Sequence, residues 1–198
     1  KNENFVLKSV KVISLVKMKG VLTMLKEIKN NIFYCGLNHR ERKLFDELIP
    51  LPAGTTYNSY FVKGSKSNAI IDTMYPQKSF EYLQKLKEGS IGKVDYIVAN
   101  HGEQDHSGTL PELLEIYPDA KILTNPKCKE IIQEMLHIKD EKFQVVADGE
   151  EISLGDKTLK FIYAPWVHWP DTMFTYIKED KIIFTCDFLG AHLPFDDL

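Results

Sequence analysis

The chain has 198 residues, enough for one folded domain at roughly 100–200 residues per domain and too few for two full ones. Hydrophobic residues make up 43% and charged residues 27%, a balance that excludes intrinsic disorder and permits a buried core. Lys+Arg total 25 against Asp+Glu 28, a formal net charge of −3, which excludes the chain-wide basic footprint of a nucleic-acid binder.

Residues 5–25 are apolar but interrupted by Lys8, Lys11, Lys17 and Lys19. A membrane span needs about 20 mostly apolar residues, so none is expected here. The run at 12–16 is also too short for a secretory signal, whose apolar region spans about 7–15 residues before a small-residue cleavage site. Residues 1–24 are therefore expected to be an extension, with the domain proper at 25–198. A first strand is expected at 32–35. Strands at 57–62 and 69–72 pair across the polar turn 64–67. Phe80, Leu83 and Leu86 recur at helical spacing within 76–88, and Gly89 ends that helix.

The run 94–99 reads as a buried strand, followed by a loop at 100–108 and a short helix at Leu110–Ile116. A strand at 122–124 precedes a helix opened by Pro126, whose missing N–H costs nothing in a first turn. Strands follow at 143–146, 151–154 and 158–163, the last two joined at Gly155-Asp156. A final hairpin, 173–177 with 181–185, turns at Glu179-Asp180. Strands thus precede, interleave with and follow a few helices. The fold class is α/β, or more broadly α+β layered. Most of the chemically interesting polar residues fall in loops after strands, where function concentrates.

The loop after the 94–99 strand reads His101-Gly102-Glu103-Gln104-Asp105-His106-Ser107-Gly108, four potential metal ligands within six residues. Alternation along an extended segment would put His101, Glu103 and Asp105 on one side. His106 then begins the turn into the next helix. Imidazole and carboxylate donors in this density point to a metal site. His168 and Asp187 each follow a strand and are expected to converge on the same sheet edge.

The remaining candidates have plainer readings. Cys35, Cys128 and Cys186 form no CxxC pair, which excludes a disulfide scaffold or a cysteine zinc site and suggests small buried hydrophobes in a reduced, cytoplasmic setting. The charged stretch 39–43 reads as a solvated face. His137 reads as a helix-end residue. Trp166 and Trp169 are expected to pack around His168. Asp171 is expected either to cap a turn or to orient His168. Ser107 beside His106 makes no nucleophilic triad.

Taken together, His101-x-Glu103-x-Asp105-His106, the segment from His168 to Met173, and the segment from Thr185 to His192 resemble the flavodiiron proteins, metallo-β-lactamase-like oxygen and nitric oxide reductases. The resemblance runs from about Lys26 to Leu198. It implies an αββα sandwich with a two-iron site: one iron held by His101, Glu103 and His168, and Asp187 bridging to a second held partly by Asp105. His106 ranks below these as a ligand. Glu103 stands where hydrolases of the superfamily carry histidine, and its harder oxygen donor suits iron rather than zinc.

Against the family pattern, a further histidine for the second iron and an FMN-binding flavodoxin-like domain are not found in the sequence. His192 lies too near Asp187 to take the histidine's place and reads as a surface or supporting residue. The domain is accordingly expected to be incomplete at its C-terminus, to bind no FMN itself, and to hold its second iron more weakly. It would need a completing chain or homo-oligomer, with a flavodoxin-like or rubredoxin-like electron donor. The implied function is reduction of oxygen to water or of nitric oxide to nitrous oxide. The alternatives are a metallo-hydrolase, which the metal content would reveal, and a non-catalytic truncated homologue or subunit, which would bind metal without turnover.

Overall fold

The computed structural model describes residues 25–195. The expected extension, 1–24, lies outside the described residues. In chain order the elements are β1 (Lys26–Lys29), β2 (Ile32–Tyr34), β3 (Leu37–His39), β4 (Leu44–Phe45), β5 (Ile49–Pro50), β6 (Thr55–Tyr57), β7 (Tyr60–Lys63), β8 (Asn68–Ile71), α1 (Ser79–Glu88), β9 (Tyr96–Val98), α2 (Gln104–Ser107) and α3 (Leu110–Ile116). They continue with β10 (Lys121–Thr124), α4 (Pro126–Leu136), β11 (Phe143–Val145), β12 (Glu151–Ser153), β13 (Thr158–Tyr163), β14 (Met173–Ile177) and β15 (Ile182–Phe184).

Seven strands form one sheet in the order β1-β2-β7-β8-β9-β10-β11, antiparallel up to β8 and parallel from β8 onward. β12 to β15 form an antiparallel meander. The pleat explains the layering. Successive residues point to opposite faces, so Ile70, Ile97 and Ile122 join Tyr82, Leu86, Leu110, Leu113 and Ile132 under the helices. Their neighbours Ile71, Val98 and Leu123 face Leu159, Phe161, Met173 and Ile177 of the meander. Among the described residues the layers are helix, sheet, sheet. No helix among them is long and apolar enough to cross a membrane.

Three local readings change. The expected 57–62 strand is split: β6 pairs with β3, and only β7 joins the large sheet. Phe80 is 79% exposed, because Tyr82 and Leu86, four residues apart, are the pair that α1 buries. The loop 100–108 contains the one-turn helix α2, which is anchored by Ser107 Oγ donating to the carbonyls of Gly102 (2.8 Å) and Glu103 (3.0 Å). Asp105 thus comes round on a helical turn rather than along an extended alternation.

The two sheets are tied at one end by buried Asn100, just past β9. Its backbone N–H donates to Asp72 Oδ1 at 2.8 Å, its side-chain oxygen accepts from Thr175 Oγ1 at 2.6 Å, and its carbonyl accepts from Met173 N at 2.9 Å. β9, β13 and β15 all end here, and β14 begins here. That shared end carries the polar cluster.

Candidate metal centre

The loop after β9 delivers His101 and Glu103, and α2 delivers Asp105 and His106. The turn between β13 and β14 delivers His168, and the turn after β15 delivers Asp187. Their ligand atoms fall into two groups, His101-Glu103-His168-Asp187 and Asp105-His106-Asp187, the atoms of each group lying within 4.8 Å of one another. Asp187 belongs to both. Its Oδ1 lies 2.9 Å from His106 Nε2, and its Oδ2 lies 3.1 Å from His168 Nε2. His101 Nε2 lies 3.1 Å from Glu103 Oε2, and His106 Nε2 lies 3.6 Å from Asp105 Oδ2.

All six sequence-picked residues meet, and His106 is as central as the rest. Its Nδ1 lies 3.7 Å from Asp72 Oδ2, beyond hydrogen-bond reach. His192 stays outside both groups. It contacts Thr55 Oγ1 at 3.0 Å and the Phe45 ring at 4.5 Å.

Asp171 does not orient His168. Its Oδ2 accepts from Gly102 N at 2.7 Å and meets His101 Nδ1 at 2.9 Å. Sequence reading could not find this partner, because the two residues meet only through the packing of the sheets. Trp169 stands near both histidines, its ring 6.0 Å from His101 and 6.2 Å from His168, whereas Trp166 is 78% exposed and packs around neither. The stretch 39–43 is not simply a solvated face. His39 is buried. Arg42 lies over the Tyr75 ring at 4.1 Å and donates to Tyr57 Oη at 2.7 Å. With Phe45, Tyr75, Ile131 and Trp169 it lines a cavity of about 270 Å³ reaching His101, Glu103 and Asp105.

The electrostatics are those of a cluster that demands positive charge. Burial opposes charge on His101, but its contacts with Asp171 and Glu103 outweigh this and raise its pKa to about 9. Burial likewise opposes charge on His106, and the neighbouring Asp105 and Asp187 charges overturn that, holding its pKa well above the usual histidine range. Burial alone would raise Asp187, yet the His106 charge and hydrogen bond hold it well below the usual carboxylate range. Asp105 goes the other way, pushed up chiefly by burial. Its Oδ1 is buried without a hydrogen-bond partner, a costly state for a carboxylate. Imidazole nitrogens and carboxylate oxygens converging within 4.8 Å, with a buried carboxylate oxygen left unpartnered, fit a metal centre.

Two sheets packed face to face, helices against the larger, and mixed histidine/carboxylate groups at the shared strand ends define a metallo-β-lactamase-like domain. Residues 55–197 match the family model described as ODP family beta lactamase. The chain belongs to that family, and its relatives are flavodiiron proteins. It is 39% identical over 168 residues to flavo-diiron protein FprA2 of Clostridium acetobutylicum, covering 84% of this chain and 42% of the relative. It is 38% identical over 149 residues to a nitric oxide reductase of Moorella thermoacetica, covering 73% of this chain and 37% of the relative. The rubredoxin oxygen:oxidoreductase structure from Desulfovibrio gigas superposes with a TM-score of 0.80 at 31% identity, over 86% of this chain and 42% of that one. The chain spans about two-fifths of the length of such relatives.

Proposed function

We propose that this domain holds two irons and acts in the reduction of oxygen to water or of nitric oxide to nitrous oxide. One observation carries the reading: the two oxygens of Asp187 face separate histidines, His168 and His106. A carboxylate so placed could serve two metal positions at once. His101, Glu103 and His168 would hold the first iron and Asp105 the second, with Asp187 between them and His106 as a further ligand of the second. The first group offers four residues and the second three, so the first position would bind iron more tightly. Glu103 and Asp105 add hard oxygen donors to imidazole, a set suited to iron. When bound, the irons would supply the redox equivalents for the reduction.

The chain's own residues prepare the site. Asn100 fixes the loop that carries His101 and Glu103 by tying it to both sheets. Trp169, Tyr75 and Phe45 line the adjoining cavity with apolar surface, which limits water around the cluster and favours small apolar reactants. The oxygen- and nitric-oxide-reducing names of two relatives support this substrate class. Electrons would come from a flavodoxin-like or rubredoxin-like donor, with FMN held outside this domain. The working unit would be a homo-oligomer or an assembly with a completing chain, in the cytoplasm.

The test is anaerobic loading with ferrous iron, followed by gas consumption in the presence of a reduced flavodoxin-like donor. The expected result is iron-dependent loss of oxygen or nitric oxide, abolished in Asp187→Asn. Preferential zinc binding with ester hydrolysis and no gas consumption would overturn the proposal.

A further inference from the structure

Asp171 is 1% exposed and sits three residues beyond His168 in the turn between β13 and β14. A single oxygen, Oδ2, receives both Gly102 N (2.7 Å) and His101 Nδ1 (2.9 Å). The backbone carbonyl of the same residue accepts from Asn125 Nδ2 at 2.6 Å. Asn125 is in turn the N-cap of α4, its Oδ1 accepting from Cys128 N at 2.9 Å. A continuous chain of contacts therefore runs from the first turn of α4 through Asn125 and Asp171 to the far nitrogen of His101. Gly102 is what lets the carboxylate come so close: a Cβ there would stand 3.2 Å from Asp171 Oδ2 and 2.8 Å from Ile131 Cγ2.

We propose that Asp171 is a positioning residue. It keeps the His101 ring proton on Nδ1 and aims Nε2 at the cluster, and Asn125 makes the start of α4 part of that support. The proposal rests on the metal-site reading only for its consequence. The tautomer and ring orientation of His101 are properties of the chain itself. A ring nitrogen coordinates only with its lone pair free, so whichever group holds the other N–H decides which nitrogen is offered. Glu103 is the only other hydrogen-bond partner of His101 among the described residues, and it contacts Nε2. Both carboxylates can accept the ring proton, Asp171 at Nδ1 (2.9 Å) and Glu103 at Nε2 (3.1 Å), and the shorter contact, on an oxygen already fixed by Gly102 N, favours Nδ1. The placement of both donors on one oxygen has a practical consequence: the amide oxygen of Asn can replace it without losing either contact.

Three forms separate this role from a merely structural one: wild type, Asp171→Ala and Asp171→Asn. In the metal-free chain at pH 10, nitrogen-15 spectra of the histidine rings should show His101 protonated on Nδ1 in wild type and in D171N, and a mixture of tautomers in D171A. Ferrous iron titrated anaerobically should bind about 10- to 100-fold more weakly to D171A, with D171N within about threefold of wild type. Should D171A fail to fold, as far-UV circular dichroism would reveal, the comparison of wild type with D171N carries the test. An Nε2 proton on His101 in the wild type would overturn the proposal, as would iron affinity in D171A equal to wild type. If no form binds iron, the proposed function fails, and the ring spectra still decide the positioning role.

Discussion

His106 Nε2 stands 2.9 Å from Asp187 Oδ1, while the other oxygen of that carboxylate stands 3.1 Å from His168 Nε2. The first histidine comes from α2 and the second from the β13–β14 turn, so one side chain after β15 joins two otherwise separate groups. Asp187→Asn should accordingly weaken both metal positions, beyond the about 10- to 100-fold typical of losing an outer partner. Asp105→Asn should weaken only one. Iron content after gel filtration checks this, and equal losses in the two variants would contradict it.

Gly102 is required by proximity rather than by backbone angle. Gly102→Ala would push a methyl to 2.8 Å from Ile131 Cγ2 and 3.2 Å from Asp171 Oδ2. Overpacking of this kind costs about 1–3 kcal/mol. Thermal unfolding of the metal-free variant should show a Tm lowered by about 2–4 °C for each kcal/mol lost. An unchanged Tm would mean that the contact relaxes freely.

Asn100 ties the sheets together where the site forms. Asn100→Ala strips Thr175 Oγ1 of its acceptor (2.6 Å) and Asp72 Oδ2 of a donor (3.2 Å). Leaving buried polar groups unpaired costs about 1–3 kcal/mol. Urea denaturation measures the loss, and hydrogen exchange should show it concentrated at the end of β9.

A second tie lies at the opposite end of the meander. Asp180, buried in the β14–β15 turn, pairs with the Lys157 ammonium, and its Oδ1 accepts from Asn30 Nδ2 at 2.6 Å. Burial alone would raise its pKa, but the hydrogen bonds from Lys157 and Asn30, together with the Lys157 and Lys29 charges, outweigh burial and hold the carboxyl below the usual range. A depressed folded pKa stabilises fully above the unfolded value, about 3.9, and that stabilisation is lost as pH falls through the folded value. Asp180→Asn should cost about 3 kcal/mol at pH 7 by leaving Lys157 unpaired. The gap from wild type should shrink below about pH 4. Urea melts at a series of pH values check this, and a gap independent of pH would contradict it.

Much of the architecture was legible because strand pleating and helical spacing are local. Strands were expected over Ile70/Ile71, Ile97/Val98 and Ile122/Leu123, and all six residues are buried. The metal-type residues were legible too, since four of them share one loop. What escaped was whatever depends on packing between distant segments. Asp171 was visible as a polar residue of the site, but its partner lies 70 positions earlier. Arg42 looked like one charge in a charged stretch, because nothing local signals that Tyr75 and Phe45 will enclose it. β3 to β6 are two or three residues long, too short for period-two alternation to register.

The most direct test of two unequal metal positions sharing Asp187 is anaerobic calorimetric titration of the chain with ferrous iron. Two separate steps of one equivalent each are expected, the tighter surviving Asp105→Asn and both weakened by Asp187→Asn. A single step of two equivalents with one affinity would contradict it.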